Sequence, residues 1–415
     1  HIFTHFVPSK AQWMPGMEAS SAEVAETRIP VTVLTGVLGA GKTTLLKHIL
    51  ENPHGYRIAV IQNEFSEEMG MEAPLFTDAK GATIKDVYEL PNGCLCCSAK
   101  DGLIGMLDVL LEQKDRFDYV LVEATGIADP EAVCEVFWVD EGLGSKVYLD
   151  GVLSLVDSYN MLSYLGKRKA DEDSKTASLG LEAEALKQVA CADVLILNKV
   201  DLVSEMERTR ASATLREINP TARLLESRFA EVPLGDILGL KAFDKDRLAA
   251  SVLALPAEEE SGHEHGQHGH ESHEHGHQSH SHSHSHSDGH CDDCEAAPGK
   301  LLGAHGIESV LLHGEEDASY DPDKVRSWLA DVLWEETAGF VYRCKGLFRG
   351  PPEDDGEDPV ATSRTSVSHA LQGVGKIFEI EEAKAMAPKS KLLFIGRGLK
   401  RDVLAAGLVA CRVSD

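Results

Sequence analysis

The chain has 415 residues, of which 43% are apolar, and this is enough for two or three domains that each bury a core. Its formal net charge of −28 argues against nucleic acid and anionic membranes as partners. No apolar run approaches the ~20 residues of a membrane span, and nine cysteines without a secretory signal pattern favour reduced thiols. We therefore expect a cytoplasmic protein, with a nuclear pool as an alternative, and a disordered N-terminal tail over residues 1–29.

Six β-branched, apolar runs alternate with helical patterns between residues 30 and 230, which predicts an α/β domain with a mostly parallel sheet. Because the runs are apolar almost throughout, helices should cover both faces of this sheet. Ligands bind at the carboxyl ends of strands in such sheets, so motifs directly after a run form the candidate site. The predicted strands are residues 31–36, 57–64, 118–125, 151–158, 193–199 and 222–228.

The first run ends in a Gly-x-x-x-x-Gly-Lys-Thr pattern, which predicts a phosphate-binding loop. Its glycines allow backbone N–H groups to turn towards a phosphate, Lys42 can reach the β- and γ-phosphates, and the Thr43 hydroxyl can bind Mg²⁺. The helix predicted after the loop adds a favourable field for anions. The candidate phosphate-binding residues are Gly36, Val37, Leu38, Gly39, Ala40, Gly41, Lys42, Thr43 and Thr44.

Two later strand ends complete the prediction of a nucleotide enzyme. Glu123 ends the third run, where an acid facing a phosphate loop holds Mg²⁺ or its water shell, and Gly126 allows the backbone to approach the γ-phosphate. Asn198, Lys199 and Asp201 follow the fifth run. A carboxylate there can accept hydrogen bonds from N1–H and N2–H₂ of guanine, whereas adenine offers no such donor pair, so we predict GTP as the ligand. The predicted catalytic residues are Lys42, Thr43 and Glu123.

A loop after the second run carries Cys94, Cys96 and Cys97 in a Cys-x-Cys-Cys pattern. Three thiolates within four residues are soft ligands suited to Zn²⁺ or Cu(I), and they leave at least one coordination position for an outside ligand. This site suits the transfer of a metal better than a permanent structural role for it; buried or redox-active cysteines are the alternative. Glu64 and Glu67 are candidates for a further metal contact or a nucleotide-sensing switch, with a solvated acidic loop as the alternative.

Residues 246–304 are predicted to form a disordered linker, because their composition cannot build a core. Twelve of the 19 histidines of the chain lie between His263 and His290. Imidazoles at this density bind Zn²⁺, Ni²⁺ or Cu²⁺, so the segment is interpreted as a metal-collecting arm, with a plain hydrophilic spacer as the alternative.

A second domain is predicted over residues 305–413, as a small α+β sandwich of the ferredoxin type. It has no catalytic constellation and is interpreted as a lid or a docking surface for a client. Asp157 is interpreted as structural or as a support for a residue that contacts the ligand, and Lys345 and Arg397 as solvated charges. The predicted strands are residues 306–314, 340–349, 366–382 (one strand or two) and 391–399, and the predicted helices are residues 321–336 and 400–413.

These segments together resemble the CobW family of GTPases, and in particular the eukaryotic zinc-regulated GTPase metalloprotein activators. The resemblance runs from about residue 29 to residue 411, with interruptions at the histidine-rich linker and at an acidic insert near 351–359. It implies a P-loop GTPase domain over residues 30–245 and a CobW C-terminal domain over residues 305–413. It rests on GVLGAGKTTLL, QNEF, NGCLCCSAKDGL, EATGIADP and NKVDL in the first domain and on KGLF, LQGVG and LLFIGRGL in the second.

The resemblance implies a zinc metallochaperone that uses GTP and Mg²⁺ and passes Zn²⁺ from the cysteines to a client apo-metalloenzyme. The client suggested for vertebrate relatives is type 1 methionine aminopeptidase. The Cys-Pro-x-Leu-Val-Pro docking motif of those relatives is matched here only in part, by Phe6-Val7-Pro8. Two alternatives are a GTPase chaperone for nickel or cobalt/cobalamin and a His-rich zinc-buffering protein with a vestigial GTPase. The sequence leaves the oligomeric state open.

Overall fold

The structure is a computed structural model and describes residues 28–62, 87–89, 99–112, 117–124, 130–139, 146–164, 175–256, 306–352 and 366–413. The N-terminal tail and the histidine-rich segment 257–305 lie outside these residues. So do several of the predicted site residues: Glu64, Glu67, Cys94, Cys96, Cys97 and Gly126.

The first sheet is parallel throughout, as the sequence predicts. Its strands are β1 (Ile29–Gly36), β2 (Ile58–Gln62), β3 (Val87–Glu89), β4 (Tyr119–Glu123), β5 (Val147–Asp157), β6 (Val194–Asn198) and β7 (Arg223–Glu226). They lie in the order β3-β2-β4-β1-β5-β6-β7. All six predicted runs are strands. The edge strand β3 was not predicted, because three residues carry too little periodicity to distinguish a strand from a loop.

Helices pack on both faces of this sheet. Alternate residues of β1 point to opposite faces, so that Val31 and Val33 pack in one apolar cluster and Leu34 in another. This two-sided burial explains why the strands are apolar throughout. No helix among the described residues is both long and apolar enough to cross a membrane. The helices are α1 (Lys42–Glu51), α2 (Ala99–Leu111), α3 (Pro130–Val139), α4 (Ser158–Tyr164), α5 (Lys175–Cys191), α6 (Glu205–Ile218) and α7 (Lys245–Leu253).

The second sheet is antiparallel and confirms the predicted α+β class. Its strands β8 (Ile307–His313), β9 (Phe340–Gly350), β10 (Val367–Val374), β11 (Ile377–Ala383) and β12 (Lys391–Arg397) lie in the order β11-β10-β9-β12-β8. Helix α8 (Pro322–Trp334) follows β8, and α9 (Arg401–Ala410) follows β12. Because β12 lies between β8 and β9, the β8-α8-β9 segment is the split β-α-β unit of ferredoxin-like folds. The segment 366–382 resolves into two strands, with Gly375 at φ +57° in the turn.

The boundary between the two domains differs from the prediction. The predicted linker begins at residue 246, but residues 245–253 form α7. The Asp244 side chain accepts hydrogen bonds from the backbone N–H groups of Asp246 and Arg247 and so caps this helix. Its Leu248 and Val252 pack in a core cluster that also contains residues of the second sheet. Helix α7 therefore contacts both domains. It was not predicted because its apolar stripe is short and is followed directly by a polar segment.

A buried charge cluster also joins the domains. Asp193, directly before β6, accepts hydrogen bonds from Arg343 Nη2 at 2.6 Å and Lys345 Nζ at 3.0 Å, both on β9. The side chains of these three residues are at most 5% exposed. The interpretation of Lys345 as a solvated charge is therefore wrong. Burial would raise the pKa of Asp193, but the two adjacent cations hold it below its ordinary value.

Candidate functional site

The loop between β1 and α1 is packed so tightly that two of its positions accept only glycine. A Cβ at Gly36 would lie 2.6 Å from the Leu155 carbonyl oxygen, and a Cβ at Gly41 would lie 2.5 Å from Asn198 Nδ2. Both residues also have positive φ, +142° and +111°. The loop is therefore pressed against the ends of β5 and β6, which fixes where its backbone N–H groups can go.

Lys42 is folded into this loop at the start of α1. It is 9% exposed, and its Nζ donates hydrogen bonds to the carbonyl oxygens of Gly36 at 2.7 Å and Val37 at 3.3 Å. The N-cap residue Gly41 has no side chain, so the first N–H groups of α1 receive no side-chain cap there. A helix start of this kind, with an ammonium group beside it, suits an anion. The rim of the loop is exposed at Leu38, Gly39, Thr43 and Thr44.

Glu123 lies level with this loop. It is the last residue of β4, is 9% exposed, and is paired in register with Leu34 of β1, two residues before Gly36. The backbone N–H of Ala124 donates to the Leu34 carbonyl at 2.9 Å, which holds the two strand ends together. The carboxylate is thus at the edge where the phosphate loop begins. Gly126 lies outside the described residues.

Asn198 connects the phosphate loop to the end of β6 and to the segment after β7. Its Nδ2 donates to the Ala40 carbonyl at 2.9 Å, and its Oδ1 accepts from Ser227 Oγ at 3.0 Å and from the Ala230 N–H at 2.9 Å. The side chain is 2% exposed, and all of its polar atoms have partners. Asn198 is therefore a structural brace between three segments of the site.

Lys199 and Asp201 follow in a short turn. Lys199 has φ +60°, and its Nζ donates to Asp157 Oδ2 at 2.7 Å. Asp157 Oδ1 also accepts from the backbone N–H groups of Tyr159 and Asn160 at the start of α4, which confirms its predicted structural role. Asp201 lies in the 3₁₀ turn Val200–Leu202 and is exposed, so its carboxylate is accessible to a ligand.

The turn over residues 227–230 belongs to the same site and was missed by sequence reasoning. Ser227 donates its N–H to the Leu197 carbonyl at 2.9 Å, and Val200 donates to the Ser227 carbonyl at 3.3 Å. Phe229 in this turn is 71% exposed. The only signal in the sequence was a Ser-Arg pair at the end of a predicted strand, which is too short to indicate a motif.

The cysteine loop itself lies outside the described residues, but its two anchors do not. It is bracketed by β3, which ends at Glu89, and by α2, which begins at Ala99. Glu89 is in register with Gln62, Gln62 with Glu123, and Glu123 with Leu34. Three strand spacings separate the first and last of these, or about 14 Å. The chain therefore enters the cysteine loop at the same sheet edge as the phosphate loop.

Two family models match this chain in the order the structure shows. "CobW/HypB/UreG, nucleotide-binding domain" matches residues 30–226, and "Cobalamin synthesis protein cobW C-terminal domain" matches residues 307–412. Together they cover both sheets, so the predicted resemblance is confirmed for the two domains separately.

Similar proteins agree with the family models. "Zinc-regulated GTPase metalloprotein activator 1" of Schizosaccharomyces pombe is 31% identical over an alignment of 392 residues that covers 90% of this chain and 83% of that protein. The protein of the same name from Saccharomyces cerevisiae is 35% identical over 403 residues, 92% of this chain and 84% of that protein. The crystal structure of Zn(II)-bound YjiA GTPase from E. coli superposes with a TM-score of 0.57 at 25% identity, covering 93% of this chain and 99% of that chain. The chain belongs to the CobW family of P-loop GTPases.

Proposed function

We propose that this chain is a GTP-hydrolysing zinc metallochaperone that passes Zn²⁺ from Cys94, Cys96 and Cys97 to a client apo-metalloenzyme. The observation that carries the proposal is the register from Glu89 to Leu34, which brings the entry of the cysteine loop and the start of the phosphate loop to one sheet edge. Family membership supports the GTPase activity, and the names of the two yeast relatives, zinc-regulated GTPase metalloprotein activators, support zinc as the metal.

The nucleotide phosphates bind to the loop from Gly36 to Thr44 in this proposal. Its tight glycine positions leave the backbone N–H groups able to approach an anion, which larger side chains would prevent. When the nucleotide binds, the Lys42 ammonium group gives up its hydrogen bonds to the Gly36 and Val37 carbonyl oxygens and donates to phosphate oxygens instead. Gly126 would extend this cradle towards the γ-phosphate.

The residues at the loop also fit a magnesium ion. Mg²⁺ prefers oxygen ligands, and the exposed Thr43 hydroxyl and the Glu123 carboxylate are oxygen donors at the same edge of the sheet. These two residues would hold the ion or its water shell, with Glu64 and Glu67 as further candidate metal ligands. A bound Mg²⁺ neutralises charge on the phosphates, which lowers the barrier to phosphoryl transfer.

Asp201 provides base selectivity in the proposal. An exposed carboxylate in the turn after β6 can accept two hydrogen bonds at once, and guanine offers two adjacent N–H donors. Asn198 braces the loop that Lys199 and Asp201 follow, and its Nδ2 carries a second N–H that the base can accept. Replacing Asp201 with asparagine should lower the affinity for GTP and raise it for xanthosine triphosphate, whose 2-oxo group replaces the amino donor.

Zinc is the cargo in this scheme. Thiolates are soft ligands that favour Zn²⁺ over harder cations, and three of them leave a coordination position for a client ligand. Loss of the γ-phosphate at the same sheet edge changes the loop that holds the metal. Thermodynamic linkage requires the reverse effect also, so zinc must change the affinity for the nucleotide by the same factor.

The client is an apo-metalloenzyme, and type 1 methionine aminopeptidase is the first to test. The second sheet and α9 are the candidate docking surface, since the described residues there include no group of three His, Cys, Asp or Glu side chains that could hold the metal themselves. Transfer of Zn²⁺ to the apo-aminopeptidase should require GTP and should fail with a non-hydrolysable analogue.

The decisive experiment measures zinc affinity with GDP and then with a non-hydrolysable GTP analogue. The protein is used both as the full chain and without residues 257–300, a deletion that keeps α7 and the hydrogen bond from Lys391 to the Leu255 carbonyl. The matched control replaces Cys94, Cys96 and Cys97 with alanine. A nucleotide-dependent affinity that the control loses supports the proposal. Equal zinc affinity in both nucleotide states, or tighter binding of Ni²⁺ than Zn²⁺ by the shortened chain, contradicts it.

A further inference from the structure

Phe229 combines two features that a protein surface normally avoids. Its ring is 71% exposed, and its backbone is left-handed, with φ +54°. Ala230, the next residue, is also left-handed at φ +58°. Glycine or asparagine would adopt this conformation at lower cost, and a polar side chain would be better solvated. Strained, exposed positions of this kind concentrate where a ligand makes use of them.

The backbone of this turn is held in place. Ala230 is fully buried in the core beneath the phosphate loop, and its N–H donates to Asn198 Oδ1 at 2.9 Å. Ser227 bonds to the same Oδ1 through its hydroxyl. Glu231 donates its N–H to the Arg228 carbonyl at 3.0 Å and closes the turn. Phe229 is therefore fixed on the outside of a rigid turn, one residue from an atom that contacts Asn198.

The neighbouring segment is also fixed, since the Val200 N–H donates to the Ser227 carbonyl at 3.3 Å. Lys199 is the residue after Asn198, and its Nζ is tied to the buried Asp157 carboxylate at 2.7 Å. Its stem is therefore restrained although the side chain is 31% exposed. A planar base that bonds to Asp201 through its edge has two apolar faces to cover. The lysine stem and the phenylalanine ring are apolar surfaces on neighbouring segments at this edge.

We propose that Phe229 stacks on the guanine ring of bound GDP or GTP and closes one face of the base pocket. This inference rests on the proposed base site at Asn198, Lys199 and Asp201. Stacking explains why an exposed aromatic ring is kept at a strained position, since its apolar face is covered only when the nucleotide is bound. It also gives a protein of net charge −28 a source of affinity that is independent of charge for an anionic ligand.

The test uses the full chain and calorimetric affinities for GDP and for a non-hydrolysable GTP analogue. Phe229→Ala should weaken both affinities by about tenfold or more, the range expected for loss of a base–aromatic stack. Phe229→Tyr should stay within about threefold of the parent. Phe229→Trp should bind as well and report the base directly through a change in its fluorescence when GDP is added. Met206→Ala, which removes a side chain that is 78% exposed, is the matched control and should change neither affinity.

Phe229→Gly separates ligand binding from folding. Glycine relieves the left-handed backbone, so the nucleotide-free variant should melt at the same temperature as the parent or higher. It should nevertheless lose the same affinity as Phe229→Ala. If Asp201→Asn alters the GTP affinity while Phe229→Ala and Phe229→Gly do not, the stacking proposal is wrong and the base site stands. If Phe229→Ala changes only the oligomeric state, the ring covers a second copy of the chain and the proposal is also overturned.

Discussion

Replacing Asp193 with asparagine should destabilise the protein by about 3–5 kcal/mol, although the residue lies at the opposite end of β6 from Asn198. Asn keeps the shape of the side chain but removes the charge that Arg343 and Lys345 share at 2.6 and 3.0 Å. Two cations then remain in a site where their side chains are 1% and 5% exposed. Removing one member of a buried ion pair costs this much because the partner is left uncompensated. The loss is a large share of the ~5–15 kcal/mol by which domains are stable.

Urea unfolding followed by tryptophan fluorescence measures this loss. Trp328 and Trp334 lie on α8 and report the second domain. The urea midpoint should fall by at least ~1 M. The matched control is Glu315→Gln, which removes an ion pair with Arg412 whose side chains are 59% and 42% exposed; it should cost at most ~1 kcal/mol.

Two further results decide whether the charge is the cause. Adding Arg343→Met and Lys345→Met to Asp193→Asn should restore more than half of the lost stability, because no buried cation is then left without a counter-charge. The low pKa of Asp193 in the folded state means that its contribution is present above pH ~4 and disappears as the pH falls through the folded pKa. The variant should lose that part of the acid sensitivity. An Asp193→Asn protein within 1 kcal/mol of the parent would show that the buried charge of Asp193 contributes little to stability.

Three further predictions concern single positions. Gly41→Ala should weaken nucleotide binding by at least tenfold, because its Cβ would lie 2.5 Å from Asn198 Nδ2, whereas Gly105→Ala in α2, with open space around it, should bind normally. Ser204→Ala should cost ~0.5–2 kcal/mol in thermal unfolding, because it removes the capping box of α6. Cys344 should resist iodoacetamide at pH 8 in the folded protein and react after denaturation, because burial raises the pKa of its thiol to about 12.

The sequence predicted the first sheet because its strands are buried on both faces. Continuous apolar runs, each followed by a polar motif, carry the signal for a parallel strand and for its carboxyl end at once. Because both residues follow apolar runs, Glu123 and Asn198 were predicted at the carboxyl ends of their strands, where the structure has them. The sequence carried no information on their contacts. Strand β3 was not predicted because its three residues are too few to show a periodic pattern. Its pairing with β2 stabilises it as a strand.

The contacts of Asn198 and Lys345 were not predicted, because they join residues that are far apart along the chain. Asn198 was predicted to hold the base, and its Nδ2 and Oδ1 also contact Ala40, Ser227 and Ala230, which no tetrapeptide motif can show. Lys345 and Asp193 are 152 residues apart along the chain, so neither sequence neighbourhood contains the counter-charge that permits burial. A charged residue with no counter-charge nearby in the sequence is predicted to be solvated, because charged side chains are buried only when they are paired.

Strand β6 connects the buried charge cluster to the candidate nucleotide site, since Asp193 precedes it and Asn198 ends it. All five of its residues are at most 2% exposed, and it pairs on both sides, with β5 and β7. Coupling between sites needs an element with two arrangements, and a strand packed in this way has no second arrangement of comparable energy. Within the part of the chain that the structure describes, edge strand β3 pairs with β2 alone, through three residues, and it precedes the cysteine loop in the chain. A response of the metal site to the nucleotide is therefore expected to pass through the β3 edge. Asp193→Asn should lower stability while the nucleotide dependence of zinc affinity stays unchanged.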